Sequence, residues 1–242
     1  MDFRPSVFFE ALTSPAFIAG VELTIALTVI SMAAGLVLGL VLALMRGSSV
    51  AAVRGVAWGY IWIFRAIPTL VQLLFVWDAL PQLIPTFRGE WFSPFLAAAI
   101  ALSMNEAAYA SEIFRGGLLS IDEGQRLAAR ALGMSPRKVF GKVILPQLIR
   151  VTIPPLSNDF ITMLKITSLA SVISLQELLA RTQSLIASTF RFVEYYSAAA
   201  IYYLVLVSIF MVIQAQFERR FVWSSQAPAG RLSRVRQLAS LR

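Results

Sequence analysis

The residues able to do chemistry in this sequence are few, and most of them interrupt long apolar runs. Asn105 and Glu106 are adjacent within the stretch from Trp91 to Phe114, and Tyr109 and Glu112 follow three and six residues after Glu106. That spacing traces broadly one helix face. Gln72 and Asp78 fall in the run from Arg65 to about Phe87, and Asp159 and Lys165 in the run from Val151 to about Leu175. An intramembrane carboxylate such as Glu106 accepts an ammonium or another cationic group, and the Asn105 amide orients a polar one. An internal ion pair or a contact across a dimer interface accounts for Glu106 equally well at this stage. Lys165 is expected deep in its span, paired with a carboxylate. Gln72 and Asp78 are further pathway candidates, and Glu112 reads as the structural partner of Arg115. The chain has no Cys and no His, so disulfides, Cys/His zinc sites and His- or Cys-based triads are excluded. No GxxxxGK[ST] loop occurs, so ATP is not bound in that way. With carboxylate pairs also scarce, a membrane enzyme is disfavoured.

These residues must be positioned by membrane-spanning helices. Of 242 residues 58% are hydrophobic and 14% charged, too apolar for an ordinary soluble domain. Leu23 to Met45 and Tyr195 to Phe217 contain no charge, and about 20 apolar residues suffice to span a bilayer. The reading is an all-α integral membrane protein with five transmembrane helices, at about 16–45, 66–87, 91–114, 151–176 and 195–217. Glu106 then sits over 20 Å along its helix from Trp91, at about 1.5 Å per residue. Sixteen Lys and Arg fall on one side of this arrangement and four on the other, with Lys165 inside a span. The positive-inside rule puts the N-terminus outside and the C-terminus in the cytoplasm. The net charge of +8 is therefore loop charge, and no nucleic-acid partner is implied. The first span reads as a retained anchor, because Met1 to Leu12 lacks a basic n-region and a small-residue cleavage site. Gly35 and Gly39, with Ala43 beyond, form a small-residue ridge for helix packing, its partner unspecified. No internal repeat is evident, against inverted-repeat secondary transporters. Residues 1–223 are expected to form one transmembrane domain, followed by a basic cytoplasmic tail over 224–242, solvated or held at the lipid surface.

The polar loop 115–150 reads as two short helices. Ser120 and Glu123 fit a capping box, opening a helix through Gln125 to Leu132 that stops at Gly133. Ser135 and Pro136 start a second, which Pro146 stops or kinks. Val139, Phe140, Val143 and Ile144 form its apolar stripe, with Arg137, Lys138 and Lys142 pointing away. Arg126 and Arg130, four apart, share a face of the first helix. Such a segment either inserts into a partner's groove or lies on the inner leaflet.

Quoted in full, GQRLAARALGMSPRKVFGKVILP resembles the EAA loop of ABC importer permeases (type I, MetI-like), whose pattern is E-A-A-x3-G-x9-I-x-L-P. Ala128, Ala129, Gly133, Leu145 and Pro146 stand in register, and Val143 replaces Ile. AAYASEIFRGGLLSI (107–121), FRAIPTLVQL (64–73) and KITSL (165–169) are similar to signatures of the subgroup that imports polar amino acids. Leu127 stands in place of the namesake Glu, Ala66-Ile67 in place of Gly-Thr, and Ile166 in place of Asp. The resemblance implies a permease subunit of the bacterial cytoplasmic (inner) membrane, working by alternating access. It implies a second permease, like or unlike, two separate ATPase subunits, an extracytoplasmic substrate-binding protein, and no cofactor, metal or enzymatic activity of its own. The loop becomes the coupling helix, with Gln125, Leu127, Ala128, Ala129, Arg130, Leu132, Gly133 and Met134 at the ATPase contact. Asn105, Glu106, Tyr109, Gln72 and Lys165 become the substrate-binding candidates. An autonomous ion channel or secondary transporter is the alternative, separable by transport without an ATPase.

Overall fold

The computed structural model describes residues 3–222, with side chains to 219, and every regular element among them is helical. The expected basic tail over 224–242 lies outside the described residues. A short helix α1 (Pro5–Thr13) leads through the N-cap Ser14 and first-turn Pro15 into α2 (Pro15–Arg46). Helix α3 (Ala51–Ala66) breaks at Ile67–Pro68 into α4 (Thr69–Leu74), which continues through a π turn, Phe75–Ala79, into α5 (Leu80–Leu83). A 3-10 turn, Pro85–Arg88, precedes α6 (Pro94–Ser120). The loop helices are α7 (Glu123–Ala131) and α8 (Pro136–Val139), the latter running through a second π turn, Phe140–Ile144, into α9 (Leu145–Ile166). A 3-10 segment, Thr167–Ile173, extends it, and α10 (Leu178–Thr189) and α11 (Phe192–Val222) follow.

Large apolar side chains lie on the outside of the bundle as well as in its core. Val29, Val37 and Val41 on α2 and Leu204, Ile209 and Val212 on α11 point outward. Inside, large side chains such as Leu27, Leu73, Leu102 and Ile173 are buried among alanines, glycines and threonines that let backbones approach. Helix α6 is the hub. It buries seven alanines (97, 98, 99, 101, 107, 108 and 110) and packs against α2, α3, α4 and α9. It is also the partner of the glycine ridge. A Cβ on Gly35 would lie 2.6 Å from Cβ and Cγ of Glu106, and one on Gly39 would lie 2.8 Å from Cβ of Ala110. Glu106 and Ala110 are four apart, so two matched i, i+4 rows interlock.

The span boundaries differ from expectation. The stretches Pro15–Arg46, Pro136–Ile173 and Phe192–Arg219 are each long and apolar enough to cross a membrane. The pair Ala51–Ala66 and Thr69–Leu83 makes a fourth if a helix bent by 107° is one span. The segment expected at 66–87 is therefore only the second half of a broken element. Pro68 has no N–H to continue α3 and holds the residue before it in an extended conformation. Pro146, expected to stop or kink the loop helix, instead lies one residue inside α9: the wider π turn before it absorbs the missing N–H, so α8 and α9 form one rod. The connection between the last two spans holds α10, which periodicity did not reveal. Its N-cap, Glu177, is fully buried and accepts from Ala180 N (2.7 Å), Leu179 N (2.9 Å) and Tyr203 Oη (3.2 Å). Burial pushes this carboxyl above its usual range, and the three donors pull against that.

Candidate functional site

The α3–α4 break leaves carbonyls without their helical donors. Phe64 would bond the N–H of residue 68, which is proline. The Val71 N–H that would serve Ile67 instead bonds Pro68 O at 2.9 Å. Gln72 supplies what is missing: its Nε2 donates to Phe64 O at 2.8 Å and to Ile67 O at 2.7 Å. Asn105 on α6 then donates from Nδ2 to Gln72 Oε1 (3.2 Å) and to Phe64 O (3.4 Å). Both side chains are buried. Two of the residues proposed to bind substrate thus have all their amide hydrogens engaged in holding a helix break.

Glu106, one residue further along α6, is differently placed. It is buried against Gly35, and its Oε1 has no hydrogen-bond partner. Across the α6–α9 contact, Asp159 Oδ2 is also buried and unpartnered, and the two carboxyls lie within electrostatic reach of each other. Among the described residues neither oxygen has a hydrogen-bond donor, so two buried acceptors stand at the α6–α9 contact. In the sequence Asp159 is a charge interrupting its span. Its neighbours Ser157 and Asn158 make a polar triplet in an apolar run, and that was the signal for it.

The other candidates spread outward. Lys165 is exposed on α9, without the carboxylate partner expected for it among the described residues. Tyr109 is exposed beneath the Arg65 guanidinium, whose Cζ lies 5.4 Å from the ring centroid, a cation–π contact tying α3 to α6. Glu112 and Arg115 form the expected pair at 2.7 Å. Asp78 is exposed, and its backbone carbonyl accepts from Gln82 Nε2 at 3.1 Å.

In the loop, α7 ends in a left-handed Gly133 (φ 74°) as glycine placement suggested. The start is different: Ser120 belongs to the end of α6, and Asp122 is the N-cap, its Oδ1 accepting from Gly124 N at 2.6 Å. Asp122 fixes α7 because its carboxylate is two residues closer than Ser120 to the orphan N–H groups. Ala129, Val139, Ile144 and Leu148 are buried together, with Met134, Phe140 and Val143 packed on them. Leu127, Ala128, Arg130 and Leu132 face away, Leu132 being 83% exposed. Gln125 is exposed too, its Oε1 accepting from Gln147 Nε2 at 2.6 Å. The loop is therefore a supported helix showing an apolar and basic outer face.

Comparison with known proteins agrees with this architecture. The arginine transport system permease protein ArgU of Corynebacterium glutamicum is 42% identical over 228 residues, 90% of this chain and 71% of the relative. The octopine transport system permease protein OccM of Rhizobium radiobacter is 41% identical over 85% of each chain. A crystal structure of an amino acid ABC transporter with histidines superposes with a TM-score of 0.79 at 37% identity, covering 91% of this chain and 99% of that one. Residues 35–223 match the family described as binding-protein-dependent transport system inner membrane component. The chain belongs to that family, the inner-membrane permeases of ABC transporters.

Proposed function

We propose that the chain is the permease subunit of an ABC importer for amino acids with a cationic group, received by Asp159 with Glu106 behind it. The observation that carries this is the pair of buried carboxyl oxygens, Glu106 Oε1 and Asp159 Oδ2, with no donor among the described residues. Asp159 is the more accessible of the two and meets the ligand, while the buried Glu106 carboxyl stands behind it as a second polar group. Lys165, six residues along α9, is exposed and lies about 120° around the helix from Asp159, so it does not share the face of the carboxyl pair. The arginine permease among the relatives favours the same class of solute. In this reading the chain crosses the membrane five times, N-terminus outside, and pairs with a second permease. Loop 115–150 docks on separate ATPase subunits, and an extracytoplasmic binding protein delivers the solute. Binding protein and ATP must each favour a different conformation, since a ligand shifts an equilibrium only through differential affinity.

The test is uptake by the reconstituted transporter of arginine against glutamine. Asp159→Asn lowers arginine uptake by about 10- to 100-fold, the order of one charged hydrogen bond, and leaves glutamine uptake within a few-fold. Glu106→Gln acts in the same direction more weakly. Arginine uptake at the parental level in both variants, with ATPase assembly intact, removes the carboxyl pair from the pathway.

A further inference from the structure

Below the α3–α4 break, the end of α2, the start of α3, the end of α6 and the loop helices enclose a cavity of about 840 Å³. Four arginines line it: Arg46, Arg54, Arg115 and Arg126. Among the described residues Glu112 pairs with Arg115 at 2.7 Å and lies within electrostatic reach of Arg46, so one carboxylate serves two of the four. Arg54 reaches back to the carbonyls of Ser48 and Ser49, which leaves its charge unopposed. Arg126 donates from Nη2 to Leu118 O, while its Nε is buried with no acceptor. Arg46 makes no hydrogen bond or ion pair among the described residues, although it is half-buried. Half-buried guanidinium groups without acceptors are costly unless an anion supplies them.

The rest of the lining says what kind of anion. Leu44, Trp58, Leu118, Phe140 and Ile144 make most of the wall apolar, which suits an amphiphile better than a free inorganic ion. The depth is also right. Leu23 to Met45 carries no charge, so Arg46 at the end of α2 marks the membrane surface. Trp58 and Trp62 stack at 6.0 Å with rings 2° apart, and both are more than half exposed. Exposed tryptophan at this level is the mark of a headgroup interface. We infer that this cavity is a binding site for the phosphate headgroup of an anionic phospholipid, seated between the arginines with its acyl chains along the apolar wall. The site lies between the spans and the loop helices, so an occupying lipid braces α7 and α8 against α2 and α3.

Native mass spectrometry of the transporter released from nanodiscs tests this, comparing phosphatidylcholine alone with phosphatidylcholine plus phosphatidylglycerol. The parent retains phosphatidylglycerol, and Arg46→Gln/Arg126→Gln weakens retention by about thirtyfold, the order for removing two basic groups at an anionic surface. Arg46→Lys/Arg126→Lys, which keeps the charge, retains the lipid and guards against misfolding as the cause. Arg137→Gln, an exposed arginine outside the cavity, leaves retention unchanged. Equal retention by the parent and the double glutamine variant overturns the assignment. So does displacement of the lipid by millimolar inorganic phosphate, which makes the cavity a free-anion site. Loss of lipid whenever the ATPase subunits are bound also overturns it, assigning the cavity to a protein contact. None of these readouts depends on which solute is carried, so they separate this site from the carboxyl pair.

Discussion

Gln72→Leu removes the amide that bridges the α3–α4 break and leaves an apolar side chain one atom shorter. Ile67 O then loses its donor at 2.7 Å, and Phe64 O keeps only the longer Asn105 contact of 3.4 Å. Asn105 in turn loses Gln72 Oε1. With no water in lipid to replace the donors, one orphaned carbonyl and one weakened one cost about 2–4 kcal/mol. Gln72→Glu costs at least as much, because a carboxylate has no N–H to give the carbonyls. Unfolding in mixed micelles with increasing SDS, followed by tryptophan fluorescence, measures the loss. Adding Asn105→Ala to Gln72→Leu should cost about 1 kcal/mol less than the sum of the single changes, since they share one network. The reasoning fails if Gln72→Leu unfolds within about 0.5 kcal/mol of the parent while raising KM. Gln72 would then be a pathway residue and the break held by something else.

Other expectations concern packing and the loop. Gly35→Ala sets a methyl 2.6 Å from Glu106 and destabilises the chain by about 1–3 kcal/mol. Gly59→Ala, with nothing within 4 Å of its Cβ, is neutral or stabilising by up to about 1 kcal/mol; the same unfolding titration compares them. Asp122→Ala costs about 1 kcal/mol of local stability through the lost cap, visible as faster amide exchange in α7, whereas Ser120→Ala leaves α7 unchanged. Leu127→Glu, which restores the residue usual in such loops, tightens binding of the ATPase subunits in a pull-down titration; unchanged affinity removes position 127 from that contact.

The elements legible in the sequence were those with a local cause. Charge-free runs marked α2 and α11, Gly133 marked the end of α7, and the Glu112–Arg115 spacing marked an ion pair. What escaped depended on pairing at a distance. The glycine ridge was visible, but its fit to Glu106 and Ala110 needed α6 beside it. Gln72 and Asn105 are polar residues in apolar runs, which is equally the signature of a ligand site and of a repaired helix break. Only the position of Phe64 O and Ile67 O distinguishes these. Helix α10 is announced by no apolar stripe, since its N-terminus is fixed by Glu177 and by Leu178 N donating to Thr24 Oγ1 at 3.3 Å. Asp159 gains meaning only once α9 faces α6.

The prolines that follow the two π turns give a further prediction. Pro81 and Pro146 each follow a π turn by two residues, and in each turn the first carbonyl accepts from the residue five on: Leu80 N to Phe75 O, and Leu145 N to Phe140 O. A proline inside an α-helix ordinarily costs about 3 kcal/mol, so Pro146→Ala would be expected to stabilise the rod by letting it become regular. Packing says otherwise. Val139 and Ile144 are both buried in one cluster with Leu148, yet residues five apart lie about 140° apart around an α-helix. Only the wider turn lets both face inward. Relaxing it would rotate α8 away from Ala129 and Ile121 and release α7 from its support. The prediction is therefore that Pro146→Ala changes stability by less than about 1 kcal/mol and leaves substrate-stimulated ATPase activity intact, because the buried pair holds the turn without the proline. A gain of several kcal/mol accompanied by uncoupled ATPase activity would refute this, and would make the proline itself the device that sets the angle between loop and span.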